Sequence, residues 1–397
     1  MTEKKEDINM YTDELAEKFA RKVGAIPRPM ETKSEINEHG AFVRQENAFI
    51  QPFGDKEGML KDAKGRYTIY WAKGCNWSNR PIIVRDLLGL KDVISDQLVE
   101  HTGVHNKYGW GFKTKDYKDP ITGVYFLSEF YKNADPNFKG RATTPTFADT
   151  IEKKVVNNDY HRLTNYLEVQ FRPFQPKDAP DLYPKKYRKE IDDFNDWLYP
   201  HINNAHYRMA FCQSLEAYED AYEDFYNSMD QLEKRLETNR FLFGDYITDS
   251  DIRFFVTLVR WDVRYFHNIG PTKHRIVDYK NIWAYARELY SLPAFKDNTD
   301  IRALAIGHDD KDKKLFADYR SRIAPLIDYE KLWAPDNSRR HLSRTPDEWF
   351  LRHPDDETYE EYASEISTTI WNSPDPKDRD PKNFQNSVNP EINPLKG

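Results

Sequence analysis

An α/β unit with a mixed sheet, followed by an all-α unit, is the fold class that this 397-residue sequence predicts. Three observations predict it. Strand and helix patterns alternate between residues 66 and 171, with two strand patterns in succession before the last helix. Pro173, Pro176, Pro180 and Pro184 then break the chain. Beyond them, to about residue 305, only helical periodicity recurs.

The elements justify that reading in order. Residues 1–65 form a leader with one amphipathic helix, Met10 to Arg21, and a partly buried stretch over 40–53. Residues 67–71 (Tyr-Thr-Ile-Tyr-Trp) are β-branched and aromatic, and read as a strand. Cys75 follows a short turn containing Gly74. Ile82, Ile83, Val84, Leu87 and Leu88 then recur at helical spacing, with Gly89 at the expected helix end. A strand is predicted over 97–102, a helix over 123–134, strands over 144–147 and 154–157, and a helix from Asp159 to Phe171. This β-α-β-α-β-β-α order is the layout of a thioredoxin-like domain over 66–171. Residues 172–184 read as a linker. Residues 185–305 read as helices over 185–203, 209–239, 249–267 and 279–291, the third opened by the capping signal Thr248-Asp249-Ser250-Asp251. Residues 306–397 form an extension: a charged loop over 309–314, a helix over 355–370, and Pro-rich, charged chain from Ser373.

Composition narrows the function. A net charge of −7 argues against a general nucleic-acid binder, and no apolar run is long enough to span a bilayer. The start Met-Thr-Glu-Lys-Lys-Glu-Asp has no apolar signal core. Two cysteines, Cys75 and Cys212, are not a disulfide framework, and a cytoplasmic location follows as the expectation. No metal-ligand cluster is predicted.

The chemistry centres on Cys75. A cysteine at a strand-to-helix junction meets unpaired backbone N–H groups and the positive end of the helix dipole. Both favour the thiolate, the reactive form of the side chain. Ser78 completes a CxxS motif with no second thiol, so a mixed disulfide there needs an external thiol to resolve it. Most free cysteines are small buried core residues, and Cys212, in an apparent helix near Phe211 and Leu215, is read that way. Pro145, in Thr143-Thr144-Pro145-Thr146, is read as a cis proline opposite the nucleophile; a trans edge-strand proline is the plain alternative.

Several further segments carry a resemblance. They are Gly40-Ala-Phe-Val-Arg-Gln45, Gly65-Arg66-Tyr67, Cys75-Asn-Trp-Ser-Asn-Arg80, Tyr108-Gly-Trp-Gly-Phe112, residues 134–141 ahead of Pro145, Asn203-Asn-Ala-His-Tyr207, and residues 248–262 ending Leu-Val-Arg-Trp-Asp. Over residues 40–306 they resemble the glutathionyl-hydroquinone reductases, the Xi class of glutathione S-transferases. The resemblance implies an all-α glutathione-transferase C-terminal domain, a homodimer, and glutathione or another low-molecular-weight thiol as cosubstrate. It also implies an aromatic or quinone-derived substrate. Cys75 would be the nucleophile and Tyr207 would face the aromatic substrate. Trp110, Arg141, Thr144, Pro145, Asp159 and Tyr160 would line the thiol side.

The sequence departs from that family's pattern at particular places. Asn76 stands for its proline, and Ser78-Asn79 for its Ala-His pair. Tyr160 stands for a small hydroxyl residue, and residues 303–306 for a tyrosine-bearing segment. Two other readings share the fold: a glutaredoxin-like thiol transferase acting on mixed disulfides, and a non-catalytic binding protein.

Overall fold

The computed structural model describes residues 11–30, 35–54, 59–103, 105–270, 272–306 and 323–363. The predicted loop at 309–314 and the chain from Ser373 lie outside them. In the leader, α1 (Asp13–Val23) is capped by Thr12, whose hydroxyl accepts from the Leu15 amide, and ends at Gly24 in the left-handed region. The first lobe then runs β1 (Tyr67–Trp71), α2 (Asn76–Leu87), β2 (Ser95–Leu98), β3 (Glu100–His101), β4 (Trp110–Gly111), α3 (Leu127–Ala134), β5 (Thr146–Asp149), β6 (Lys154–Asn157) and α4 (Leu163–Val169).

The main sheet has the order β2-β1-β5-β6. β1 is parallel to β2 and antiparallel to β5. β5 pairs antiparallel with β6 across an irregularity between Phe147 and Ala148. A parallel pair flanked by an antiparallel pair is the mixed sheet expected of the thioredoxin-like layout. β1 is buried along its whole length, which explains a strand with no polar face.

Several boundaries differ from the sequence reading, among them the ends of the helices expected over 185–203 and 249–267; four show a local reason. The strand expected over 97–102 is two short strands, β2 and β3, that belong to different sheets. α3 begins at Leu127 rather than 123, because the Glu129 carboxylate turns back to accept from the Tyr125 and Phe126 amides at 2.7 and 2.9 Å. The helix expected from Asp159 begins at Leu163, after a turn in which Asp159 accepts from the Arg162 and Leu163 amides. The helix expected over 209–239 is broken at Cys212, whose backbone is extended (ψ 154°), and restarts at Ser214, whose hydroxyl caps the next helix.

The helical lobe comprises α5 (Arg188–Leu198), α6 (Ala205–Phe211), α7 (Leu215–Thr238), α8 (Asp249–Trp261), α9 (Lys280–Tyr290) and two short helices, α10 (Pro293–Lys296) and α11 (Ile301–Ile306). Every residue of α8 is buried, so it is the axis of this lobe. The predicted capping box opens it: the buried Asp251 carboxylate accepts from the Thr248 amide and hydroxyl, from the Leu242 amide, and from the Tyr285 hydroxyl. α2 packs against β1, α4 and α8, so the helix that begins beside Cys75 is also the seam between lobes.

The proline-rich stretch is more than a spacer. Within it β7 (Pro180–Asp181) pairs with β8 (Leu351–Arg352) of the extension. The extension also carries α12 (Tyr329–Leu332) and α13 (Tyr359–Ala363), the described part of the helix expected over 355–370. Trp333 stands edge-on to Trp283 and Tyr290. Buried Tyr362 donates from its hydroxyl to Asp181 at 3.0 Å, and its carbonyl accepts from buried Arg188 at 2.7 Å. No helix among the described residues is long and apolar enough to cross a membrane.

Candidate active site

Cys75 is the N-cap residue of α2, with extended backbone (φ −85°, ψ 119°) and a side chain that makes no capping bond. Its sulfur is therefore left beside the helix's unpaired amides. The turn before it is held by the Cys75 amide donating to Ala72. Ser78 closes the same turn, its hydroxyl at 3.2 Å from both the amide and the carbonyl of Ala72. The serine of the CxxS motif thus shapes the loop and does not approach the sulfur.

The Thr144–Pro145 peptide is cis. The Cys75 thiol lies 3.5 Å from the Thr144 carbonyl, so the sulfur and the proline turn face each other. Trp110, paired with His101 across β3 and β4, packs on the same apolar cluster as half-buried Cys75. Arg141 lies on the approach to Pro145, and the Glu35 carboxylate fixes its guanidinium at 2.5 Å. Glu35 is itself buried and also accepts from the Gln45 amide, so the leader is pinned across this side of the cleft.

The other predicted thiol-side residues lie deeper. The Asp159 carboxylate accepts from Asn47 at 3.3 Å and from the His161 amide. Burial pushes its acidity down, against the attraction of Arg162. Tyr160 is buried with its ring on Trp77, 5.0 Å between centroids, and its hydroxyl 3.0 Å from that of Tyr199. That hydroxyl is engaged within the protein.

Tyr207 comes from α6 in the other lobe. Its hydroxyl donates to the Asn76 side-chain oxygen at 3.1 Å. Burial first, and then the charge of Cys75, push the phenol's pKa up, so it stays protonated. Asn76 is fully buried. Its oxygen also accepts from the Trp77 amide, and its nitrogen donates to the Asn203 carbonyl. This explains the departure at Asn76: where the family's pattern has proline, this chain has an amide that ties α2 to the helical lobe.

Sequence reasoning assigned no role to three arginines of the seam beside Cys75. Arg260, fully buried on α8, donates to the carbonyls of Lys73, Gly74, Cys75 and Val256, and to Asn79. Arg44 reaches in from the leader with its guanidinium 4.5 Å from the Tyr207 ring centroid and 5.3 Å from that of Trp77. Arg264 lies four residues beyond Arg260. Arg44 and Arg260 sit in segments that carried the resemblance, so position was legible and role was not. A cavity of about 450 Å³ between Tyr246 and residues 347–352 includes none of these side chains. Among the described residues no group of three His, Cys, Asp or Glu side chains is placed to hold a metal ion.

Comparison with known proteins follows from this geometry. The profile "Glutathione S-transferase, C-terminal domain" matches residues 216–288. The chain is 36% identical over 245 residues to glutathionyl-hydroquinone reductase PcpF of Sphingobium chlorophenolicum, covering 61% of this chain and 76% of that protein. It is 33% identical over 271 residues to glutathionyl-hydroquinone reductase YqjG of Escherichia coli, covering 66% and 82%. Among solved structures, the glutathione S-transferase Xi of Phanerochaete chrysosporium superposes with a TM-score of 0.65 at 32% identity, covering 72% of this chain and 92% of that one. The glutathione-bound structure of YqjG superposes with a TM-score of 0.61 at 29% identity, covering 71% and 92%.

Proposed function

The chain belongs to the glutathionyl-hydroquinone reductase family, the Xi class of glutathione S-transferases, and from that premise we propose how its residues divide the reaction. It is a thiol-dependent reductase of the transferase fold, with glutathione as cosubstrate and a glutathionyl-hydroquinone-type thioether as substrate. The Cys75 thiolate attacks the thioether sulfur. An S–S bond forms and the carbon–sulfur bond breaks. The electron pair of that bond goes to the ring carbon, which takes up a proton as hydroquinone leaves. A second glutathione thiolate attacks the mixed disulfide, returns Cys75 as thiolate and departs as glutathione disulfide.

In this reading Trp110, Thr144 and Pro145 line the peptide side of the cleft. Arg141, positioned by Glu35, meets a carboxylate of the thiol, and Asp159 meets its ammonium end. Tyr160 supports this wall through Trp77, because its hydroxyl is held by Tyr199. Tyr207 faces the aromatic ring and turns its hydrogen bond from Asn76 to a ring oxygen of the departing hydroquinone. The reaction belongs in the cytoplasm, where glutathione keeps both thiols reduced, and the chain works as a homodimer, as the resemblance implies.

One observation carries the reading: a half-buried thiol at a helix N-cap, 3.5 Å from the Thr144 carbonyl beside Pro145. The test is a single turnover with a glutathionylated hydroquinone, followed by intact-mass measurement. Hydroquinone release with a glutathione-sized adduct, both lost in Cys75→Ala, is the expected result. Release that persists in Cys75→Ala would refute the covalent route.

A further inference from the structure

Several buried and half-buried arginines in this protein are paired with acids. Arg240 meets Glu288, Arg253 meets Asp249, Arg85 meets Asp86 and Asp96, and Arg208 meets Asp220 and Asp224. This is what desolvation demands of a cation. Arg260, Arg44 and Arg264 are not so paired, and neither are Arg188 and Arg339, which rest on carbonyl oxygens far from Cys75. Arg260 is satisfied by carbonyl oxygens and Asn79. Arg44 is satisfied by the Asn204 side-chain oxygen, at 3.3 Å from Nε and 3.2 Å from Nη2. Half-buried Arg264 makes no side-chain hydrogen bond or ion pair among the described residues.

Arg264 is also placed at the chemistry. A Cβ built on Gly74 would lie 2.6 Å from its Nη1, so the guanidinium rests on the backbone immediately before Cys75. Its charge reaches Tyr207, Tyr265 and Arg260. Its neighbour His206 is buried against Tyr265, both ring nitrogens without a partner, and supplies no negative charge. Glu35, the acid that acts on Arg44 after three tyrosines, is already held by Arg141. The cleft therefore presents two guanidinium groups and an aromatic wall, with no carboxylate paired to either, in a chain whose net charge is −7.

We propose that the electrophile carries an anionic substituent on its aromatic ring, a carboxylate or sulfonate, which Arg264 binds beside Gly74 while the ring lies beside Tyr207 and Arg44. This rests on the reductase reading and adds a substrate class to it. Guanidinium forks match such groups through two parallel N–H···O bonds. The ring would extend the arginine–aromatic stack already formed by Arg44 and Tyr207.

The test uses the full chain and two glutathionyl-hydroquinones, one with a ring carboxylate and one with the isosteric carboxamide. The expected result is that kcat/KM favours the carboxylate by roughly tenfold or more. That preference shrinks between about 20 mM and about 0.5 M salt, as an ionic contact requires. Arg264→Gln brings the ratio close to one, and Arg264→Lys restores part of it. The inference is overturned if the wild-type protein turns over the carboxamide as well as the carboxylate, or if the preference persists in Arg264→Gln. Should Arg264→Gln fail to fold, the wild-type ratio and its salt dependence decide alone. Turnover of both substrates without preference sinks the inference and leaves the reductase standing; turnover of neither sinks both.

Discussion

His206 offers a quantitative test of how dry the seam beside Cys75 is. Its imidazole is 6% exposed, stacked on Tyr265 at 3.9 Å between centroids, and neither nitrogen has a hydrogen-bond partner. Burial first, then the charges of Arg264 and Arg44, push its pKa from the ordinary 6.5 down to about 3. A histidine depressed in the fold carries no penalty above pH 6.5, where neither folded nor unfolded chain binds the proton. Below that, the unfolded chain takes up a proton that the fold refuses, and stability falls until about pH 3. At about pH 4.5, roughly two units below the unfolded value, this one group destabilises the fold by about 2.7 kcal/mol. His206→Val removes the titration, while its cavity and lost stacking shift stability equally at every pH. Urea unfolding at about pH 7.5, 6.0 and 4.5 should show the variant gaining on the wild type by about 2.7 kcal/mol across that range; every other titrating group cancels in the difference. A difference that stays constant with pH would mean that the imidazole charges freely in the folded protein, and that the seam is wet.

Other expectations follow from the same reasoning. Asp251→Ala strips four hydrogen bonds from buried groups and should cost about 3 kcal/mol or more, a fall in Tm of roughly 4 °C for a chain of this length; an unchanged melt would remove the capping box from the account of α8. Tyr362→Phe removes a donor to Asp181, whose pKa burial has already raised to about 6. The ionised carboxylate suffers most, so the loss, about 1–2 kcal/mol, should appear at about pH 8 and fade at about pH 5, and equal losses at both would contradict it. Asn76→Pro suits the first position of α2 but leaves the Asn203 carbonyl and Tyr207 hydroxyl without their partner. Thermal melts should register a loss of about 1–2 kcal/mol, and stabilisation would show that Asn76 does not tie the lobes.

The fold was legible because its signals are local. The strand–turn–Cys75–helix unit, Gly89 in the left-handed region and the Thr248–Asp251 box each rest on neighbours in sequence. The boundaries that moved were set by side chains turning back on the backbone, as Glu129 does at α3 and Ser214 at α7. Periodicity does not register those contacts. The candidate site was half legible. Cys75 and Pro145 announce themselves by context, but the partners of Arg141 and Tyr207 are Glu35 and Asn76, 106 and 131 residues away. Arg264 carries no motif at all; what marks it is a missing partner, and only packing reveals that.

The pairing of β7 with β8 sets an order of events during synthesis. Arg188, at the start of the helical lobe, is fully buried; one carbonyl that accepts its guanidinium is on nearby Tyr183, and the other lies 174 residues later, on Tyr362. A ribosome that has released the whole α/β lobe and most of the helices still holds that second acceptor. Until residues 351–362 emerge, the junction between lobes lacks the second acceptor of Arg188 and keeps an open strand edge. The nascent protein can therefore complete its first lobe early, yet must wait for its C-terminal strap before the two halves are locked together.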